Sequence, residues 1–233
     1  EFLPSYMHHW MDRSVCKRTV MTIPYNATKD SSRKYIREAL LEKKIDPTKD
    51  ELTQIVNAVY QSMDSIVPGP MQVMRWIKKH VGLYIRNGAK EVQWVTPSGF
   101  IVNQRRDDIE TMRMELQLLG RTSIRLPTGK FTPSPTKHKS STAPNYIHSF
   151  DASILHRSFT QFDEPFTVIH DSVLCRAGDM GTLNRLVRET YTNIFSEKCW
   201  LSEFAETINA SEPPPIVGTL DPKVVSNSTY FFC

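Results

Sequence analysis

Apolar positions recur at helical spacing through residues 1–90 and shift to alternation beyond them, so the chain divides into a helical part and a part built on hairpins. From His9 to Thr22, Trp10, Val15, Val20 and Met21 interleave with Arg13, Lys17 and Arg18, which predicts a helix with one basic face, stopped by Pro24. A second helix is predicted over Asp30 to Lys43. Between Asp50 and Met63, the residues Leu52, Ile55, Val56, Val59, Tyr60 and Met63 follow the i, i+3, i+4 pattern of a buried helix face. Pro68 and Pro70 punctuate, and a further helix is predicted from Met71 to about Arg86, ending near Asn87-Gly88. Val92, Trp94 and Thr96 then alternate up to the turn Pro97-Ser98-Gly99, after which Phe100, Ile101 and Val102 resume, the pattern of a β-hairpin. Asp108 to Leu126 alternates loosely and turns near Gly120, whereas Thr128 to Ala143 is rich in Pro, Ser, Thr and Lys, lacks a hydrophobic period and reads as an exposed, mobile loop. Helix returns at Tyr146 to Gln161, and the run Phe166 to Cys175 reads as strands meeting at a tight turn. Amphipathic helices follow near Met180 to Phe195 and Leu201 to Ile208, then a Pro-rich linker at Ser211 to Pro215 and an apolar end at Ser228 to Cys233. The expected fold is α+β and mainly helical, with helices in 1–90, β-hairpins in 91–142 and a mixed segment in 143–233.

Composition narrows this only slightly. The 233 residues are 39% hydrophobic, enough to bury one large core or two small ones. The net charge of +4 suits a polyanionic partner but is also common in ordinary proteins. Cys16, Cys175, Cys199 and Cys233 show no CxxC pairing, and no His stands at zinc-finger spacing, which argues against a structural metal or disulfide framework and fits a reducing compartment. No apolar run approaches the roughly 18–20 residues that span a bilayer, and no signal segment opens the chain, so it reads as soluble.

Three local patterns could carry chemistry. Arg13, Lys17 and Met21 are spaced four apart and stack along one helical face, with Tyr25 just beyond it. Fixed positive charge, a flat apolar side chain and a phenol suit the phosphates, base and sugar of a nucleoside triphosphate, but by themselves the same residues also read as an ordinary solvated basic face. His170-Asp171 falls at the turn between hydrophobic strands, where a carboxylate suits a Mg²⁺ ligand or simply bonds its own backbone. In His148-Ser-Phe-Asp151 at a predicted helix start, Ser149 or Asp151 can act as a cap.

Taken together and in order, these segments are more specific. The run Arg13-Ser-Val-Cys-Lys17-Arg-Thr-Val-Met21-Thr-Ile-Pro-Tyr25 resembles the fingers-helix motif of single-subunit, bacteriophage and mitochondrial type DNA-dependent RNA polymerases. Trp94-Val-Thr-Pro-Ser-Gly-Phe100, Ala143-Pro-Asn-Tyr-Ile-His-Ser-Phe-Asp151, Ile169-His-Asp-Ser172 and Ser228-Thr-Tyr-Phe-Phe-Cys233 resemble later segments of that family. The resemblance covers nearly the whole chain. It implies a right-hand polymerase fold, with fingers in 1–90, hairpins including a promoter-specificity loop in 91–142, and partial palm with a C-terminal foot in 143–233. It implies template-directed nucleotidyl transfer by a two-metal mechanism, with DNA template, nascent RNA and NTPs as partners. Arg13 and Lys17 would contact the nucleotide's phosphates, Met21 its base and Tyr25 its ribose. Asp171 would hold Mg²⁺, His148 would lie near the new base pair or the 2′-hydroxyl, and the Cys233 carboxylate would tuck under the active site. The segment Asp107 to Pro127 aligns with the promoter-reading hairpin. Its alternation puts Arg113, Glu115 and Gln117 on one face and Met112, Met114, Leu116 and Leu118 on the other, so the polar face either reads base edges or is an ordinary exposed strand face.

The sequence also departs from the family pattern. The family's other metal-binding Asp lies well upstream of the fingers helix, and here only Glu1 and Asp12 precede Arg13 as acids. The expectation is therefore a C-terminal subunit or fragment that is inactive without an N-terminal polymerase chain carrying the other palm Asp, the pair forming a heterodimer. Asn26 stands where family members usually have Gly, and Ile154 where they often have His. The alternatives are a non-catalytic nucleic-acid-binding remnant and a fragment of a family A DNA polymerase. Ser172, where those DNA polymerases usually carry Glu, argues against the latter. The expected setting is the cytoplasm of an infected bacterial host, with the mitochondrion as the alternative.

Overall fold

The N-terminal helices begin at side chains that satisfy their free backbone N–H groups. Asp12, Thr28 and Thr48 cap α1 (Arg13–Thr22), α2 (Lys29–Glu42) and α3 (Lys49–Ile66), and Thr48 completes a capping box with Glu51. The predicted helix from His9 is thus divided. A 3-10 helix, Ser5–Trp10, precedes α1, because Asp12 adopts extended backbone angles and starts a new helix. Pro68 and Pro70 lie inside α4 (Pro68–Arg86), whose first turn has no use for their missing N–H groups. The computed structural model describes residues 2–25, 27–117, 120, 122–216 and 218–231. Asn26, Leu118 and Cys233, each given significance by the sequence, lie outside the described residues.

The chain divides into two compact units, residues 1–77 with 215–219 and residues 78–214 with 220–233. In unit 1, α1, α2 and α3 pack on one another around Met7, Val15, Ile36, Leu40, Ile55 and Val56, all essentially out of water. Burying each of these side chains contributes about 1.5–3 kcal/mol before the ordering cost. The predicted i, i+3, i+4 face of α3 is the face that faces this core.

Unit 2 continues from the C-terminal part of α4. β1 (Val92–Val95) pairs antiparallel with β2 (Ile101–Gln104), and Gly99, at φ +81°, makes the turn that a β-carbon would strain. β3 (Asp107–Leu116) and β4 (Thr122–Pro133) form a long hairpin. α5 (Pro135–Phe159) leads to a short hairpin, β5 (Phe166–Ile169) with β6 (Ser172–Cys175), and α6 (Met180–Glu197) and α7 (Trp200–Thr207) follow. The fold is α+β and mainly helical, with small two-stranded antiparallel sheets. Trp94, Tyr146 and Phe204 form an aromatic core, with the Tyr146 and Phe204 rings 4.6 Å apart. Its polar tips are satisfied: Trp94 Nε1 donates to Ser149 Oγ at 3.0 Å, and the Tyr146 hydroxyl donates to the Trp200 carbonyl at 3.0 Å. A second cluster gathers Phe162, Leu183, Leu186 and Val187.

Thr128 to Ala143, predicted as a mobile loop, is instead the second half of β4 and the first turns of α5. Ser134 caps α5 and Pro135 occupies its first turn, a start signal carried by a Ser-Pro pair. The buried face here is polar, which is why no hydrophobic period marks it. His138 and Thr142 are fully buried, Gln104 Nε2 donates to Thr142 Oγ1 at 2.6 Å, and His138 Nδ1 lies 2.8 Å from the Ser134 carbonyl. Among the described residues, no helix is long and apolar enough to cross a membrane.

Candidate functional site

In unit 1, α1 displays the nucleotide-site candidates because its other face is committed to the core. Val15, Thr19 and Ile23, four apart, are buried, which turns Arg13, Lys17 and Met21 outward on the opposite side, and Tyr25 follows in the turn after the helix, also exposed. Among the described residues neither Arg13 nor Lys17 makes a hydrogen bond or ion pair. Neighbouring charges are used differently. Arg18 sits 3.1 Å from Glu38 and 3.9 Å over the Tyr35 ring, tying α1 to α2. Asp12 accepts from Lys43 Nζ, from Ser14 Oγ at 2.6 Å and from the Val15 backbone N–H at 3.1 Å. The hydrogen bond from Lys43 is the largest cause holding its carboxyl well below the usual range, with those from Ser14 and Val15 next. Asp12, one of the acids preceding Arg13, is therefore occupied as a helix cap.

In unit 2, Ile169 pairs with Ser172, leaving His170 and Asp171 as a two-residue turn. His170 takes the left-handed conformation at φ +58°, a strained angle for a residue with a β-carbon that makes so tight a turn possible. Asp171 is exposed at the tip and makes no hydrogen bond or ion pair among the described residues.

His148 and Asp151 lie well inside α5, so neither Ser149 nor Asp151 caps that helix, contrary to the sequence expectation. Ser149 instead donates to the Tyr146 carbonyl at 2.6 Å and accepts from Trp94. Asp151 is the residue that the sequence reading undervalued. Desolvation pushes its carboxyl up, the His148 imidazole opposes that rise, and the charge of Asp171 adds to it, so these three groups share one neighbourhood. Tyr191 of α6 joins them: its phenol is pushed up first by burial and then by Asp151. The i, i+3 spacing of His148 and Asp151 on one helix was the available signal.

Among the described residues, no group of three or more His, Cys, Asp or Glu side chains is placed to hold a metal ion. Mg²⁺ is commonly bound by one or two carboxylates together with phosphates and waters. Asp171 fits one such ligand, and the described residues do not complete a site by themselves.

The β3–β4 hairpin pairs Arg113 with Arg125, Glu115 with Ser123, Met112 with Leu126 and Met114 with Ile124. Arg113 and Glu115 share a face as expected, and Gln117 follows the last residue of β3. Arg125 opposite Arg113 was not foreseen, and neither guanidinium has an ion-pair partner among the described residues. The apolar row is not buried: Met112 is 52% exposed, and Met114, Leu116 and Leu126 are exposed as well.

The family model for DNA-dependent RNA polymerase matches residues 3–213. The DNA-directed RNA polymerase of Pseudomonas phage phiKMV is 25% identical over 96% of this chain, and the match covers 28% of that protein. The human mitochondrial DNA-directed RNA polymerase is 27% identical over 96% of this chain and 20% of its own length. T7 RNA polymerase of Escherichia phage T7 is 27% identical over 97% of this chain and 30% of its own length. The chain thus spans less than a third of the length of these curated relatives.

Proposed function

Because the chain belongs to the DNA-dependent RNA polymerase family, we propose that it forms the fingers and partial palm of a template-directed RNA polymerase and works with a second chain that supplies the other palm Asp. One observation carries this reading. Among the described residues, Arg13 and Lys17 of unit 1 and Asp171 of unit 2 stand exposed without ion-pair partners, while the charges near Arg13 and Lys17, namely Asp12, Arg18 and Lys43, are consumed by capping and packing. Charges left uncompensated on ordered elements are what binding sites for charged ligands require.

In this reading Arg13 and Lys17 bind the triphosphate, Met21 supports the base, Tyr25 meets the ribose and His148 meets the new base pair. Lys17 also donates a proton to, or neutralises, the pyrophosphate leaving group. Asp171 holds one side of a Mg²⁺ site that the companion chain's Asp completes. Bound there, the ions would supply Lewis-acid stabilisation of the attacking and leaving oxygens. The 91–142 hairpins contact the DNA template, with Arg113, Glu115 and Gln117 on the contacting side. Relatives from phages and mitochondria support a setting in an infected host cell or in mitochondria.

Reconstitution tests the proposal. The purified 233-residue chain is expected to synthesise no RNA on a primed template, and adding the companion polypeptide, encoded in the same genome and bearing an Asp-containing palm segment, is expected to restore synthesis. Template-directed incorporation by the chain alone would overturn the partner requirement, and no synthesis from the pair would overturn the polymerase reading.

A further inference from the structure

The apolar face of α3 runs past the end of the core it helps to form. Val59 and Met63 are buried, and Ile66, three residues beyond Met63 on the same face, is 77% exposed. Ile66 rims an apolar groove of about 580 Å³ that lies between α3, α1 and the residues before α1, with Met11, Cys16 and Met63 in its floor and Phe2 and Val20 on its rim. Several large side chains would fit such a volume, and methionines in the floor can adapt to whatever enters. The lining is mainly apolar, with His8, Ser62 and Ser65 as its polar members, so it suits an apolar occupant.

We infer that this groove is the docking surface for the companion polymerase chain, which fills it with a stripe of apolar side chains. The inference rests on the two-chain reading above. More than two thirds of each relative described lies outside its match to this chain, so polymerase sequence able to cover the groove exists in the family. Charge decides between this occupant and a second copy of the same chain. Cys16 and Val20 line the groove from α1, and Arg13 and Lys17 follow on the adjoining exposed side of that helix, whereas Arg18 is turned to Glu38 and Tyr35 of α2. Two copies meeting through this face would bring these like charges toward each other, a repulsion that a companion chain of different sequence need not meet.

Binding of the companion chain is measured for the wild type, for Ile66→Glu and for Leu41→Glu, the last a control at an exposed leucine of α2 outside the groove. Ile66→Glu is expected to weaken binding about tenfold or more, the cost of one large buried apolar contact, and Leu41→Glu to leave it within about twofold. Thermal unfolding checks that both variants fold. Companion binding should also slow alkylation of Cys16 by a neutral maleimide, and lose that protection in Ile66→Glu. Equal binding by Ile66→Glu with unchanged Cys16 alkylation would overturn the docking site and leave the two-chain polymerase intact. No binding by the wild type would remove both. Dimerisation of the chain alone that Ile66→Glu abolishes would assign the groove to a second copy and overturn the inference.

Discussion

Unit 1 presents its candidate residues on a helix whose opposite face is core, whereas unit 2 presents Asp171 and Arg113 on hairpins that lie largely in solvent. Every residue of β5 is exposed, as is nearly every residue of β3. An isolated two-stranded hairpin is at best marginally stable in water. The geometry of Arg13 and Lys17 is therefore secured from within the chain, by Val15, Thr19 and Ile23, by the Asp12 cap and by the Arg18–Tyr35–Glu38 contacts. The β5–β6 hairpin is anchored by Phe166, stacked on Phe159 at 3.9 Å, and by Val173 and Cys175 against the Phe162 cluster, whereas the β3–β4 hairpin has its apolar row exposed. Under the proposed function, the residues of α1 would receive the nucleotide on a preformed face, and a second chain would supply what the β3–β4 hairpin lacks.

The largest effect expected within unit 1 is on catalysis. In the reconstituted polymerase, Lys17→Ala should lower kcat by about 10²–10⁴-fold, the usual worth of a positioned proton donor or charge at a developing anion. A raised KM with unchanged kcat would reduce Lys17 to ground-state binding. Stability gives the next contrast. Ile55→Ala, at a fully buried position, should cost about 2–5 kcal/mol in urea unfolding. Met114→Ala on the bare hairpin should change stability by less than about 0.5 kcal/mol. Similar costs at the two positions would mean that the β3–β4 apolar row is covered within the chain.

The smallest effect concerns Arg113. Two guanidinium groups opposite each other, without ion-pair partners among the described residues, repel unless an anion lies between them, which favours phosphate contact over base reading. Arg113→Ala should weaken template binding evenly across promoter variants and lower the salt slope by about one. Loss of discrimination at a single promoter position would instead assign Arg113 to a base edge.

Much of this arrangement was legible beforehand. Helical spacing marked α2, α3 and α4, alternation marked β1 and β2, and the spacing of Arg13, Lys17 and Met21 placed them on one exposed face. Hydrophobic periodicity could not find the start of α5, because the face buried there consists of His138 and Thr142, held by hydrogen bonds to neighbouring groups. Alternation in β3 showed which residues share a face and could not show whether anything packs on the apolar one. Arg125 came to face Arg113 through the hairpin register, and Asp151 joined Asp171 through tertiary packing, and neither relation is local in sequence.

Asp171 tests the central claim most directly, since it is exposed, has no hydrogen bond or ion pair among the described residues, and is held at the tip of a strained turn. RNA synthesis and DNA binding are measured side by side in the reconstituted polymerase with Asp171→Asn, a change that removes the charge proposed to bind Mg²⁺ and keeps the size of the side chain. The account predicts that synthesis falls by about a hundredfold or more while DNA affinity stays nearly unchanged. Parallel loss of both, or synthesis at the wild-type rate, would contradict it.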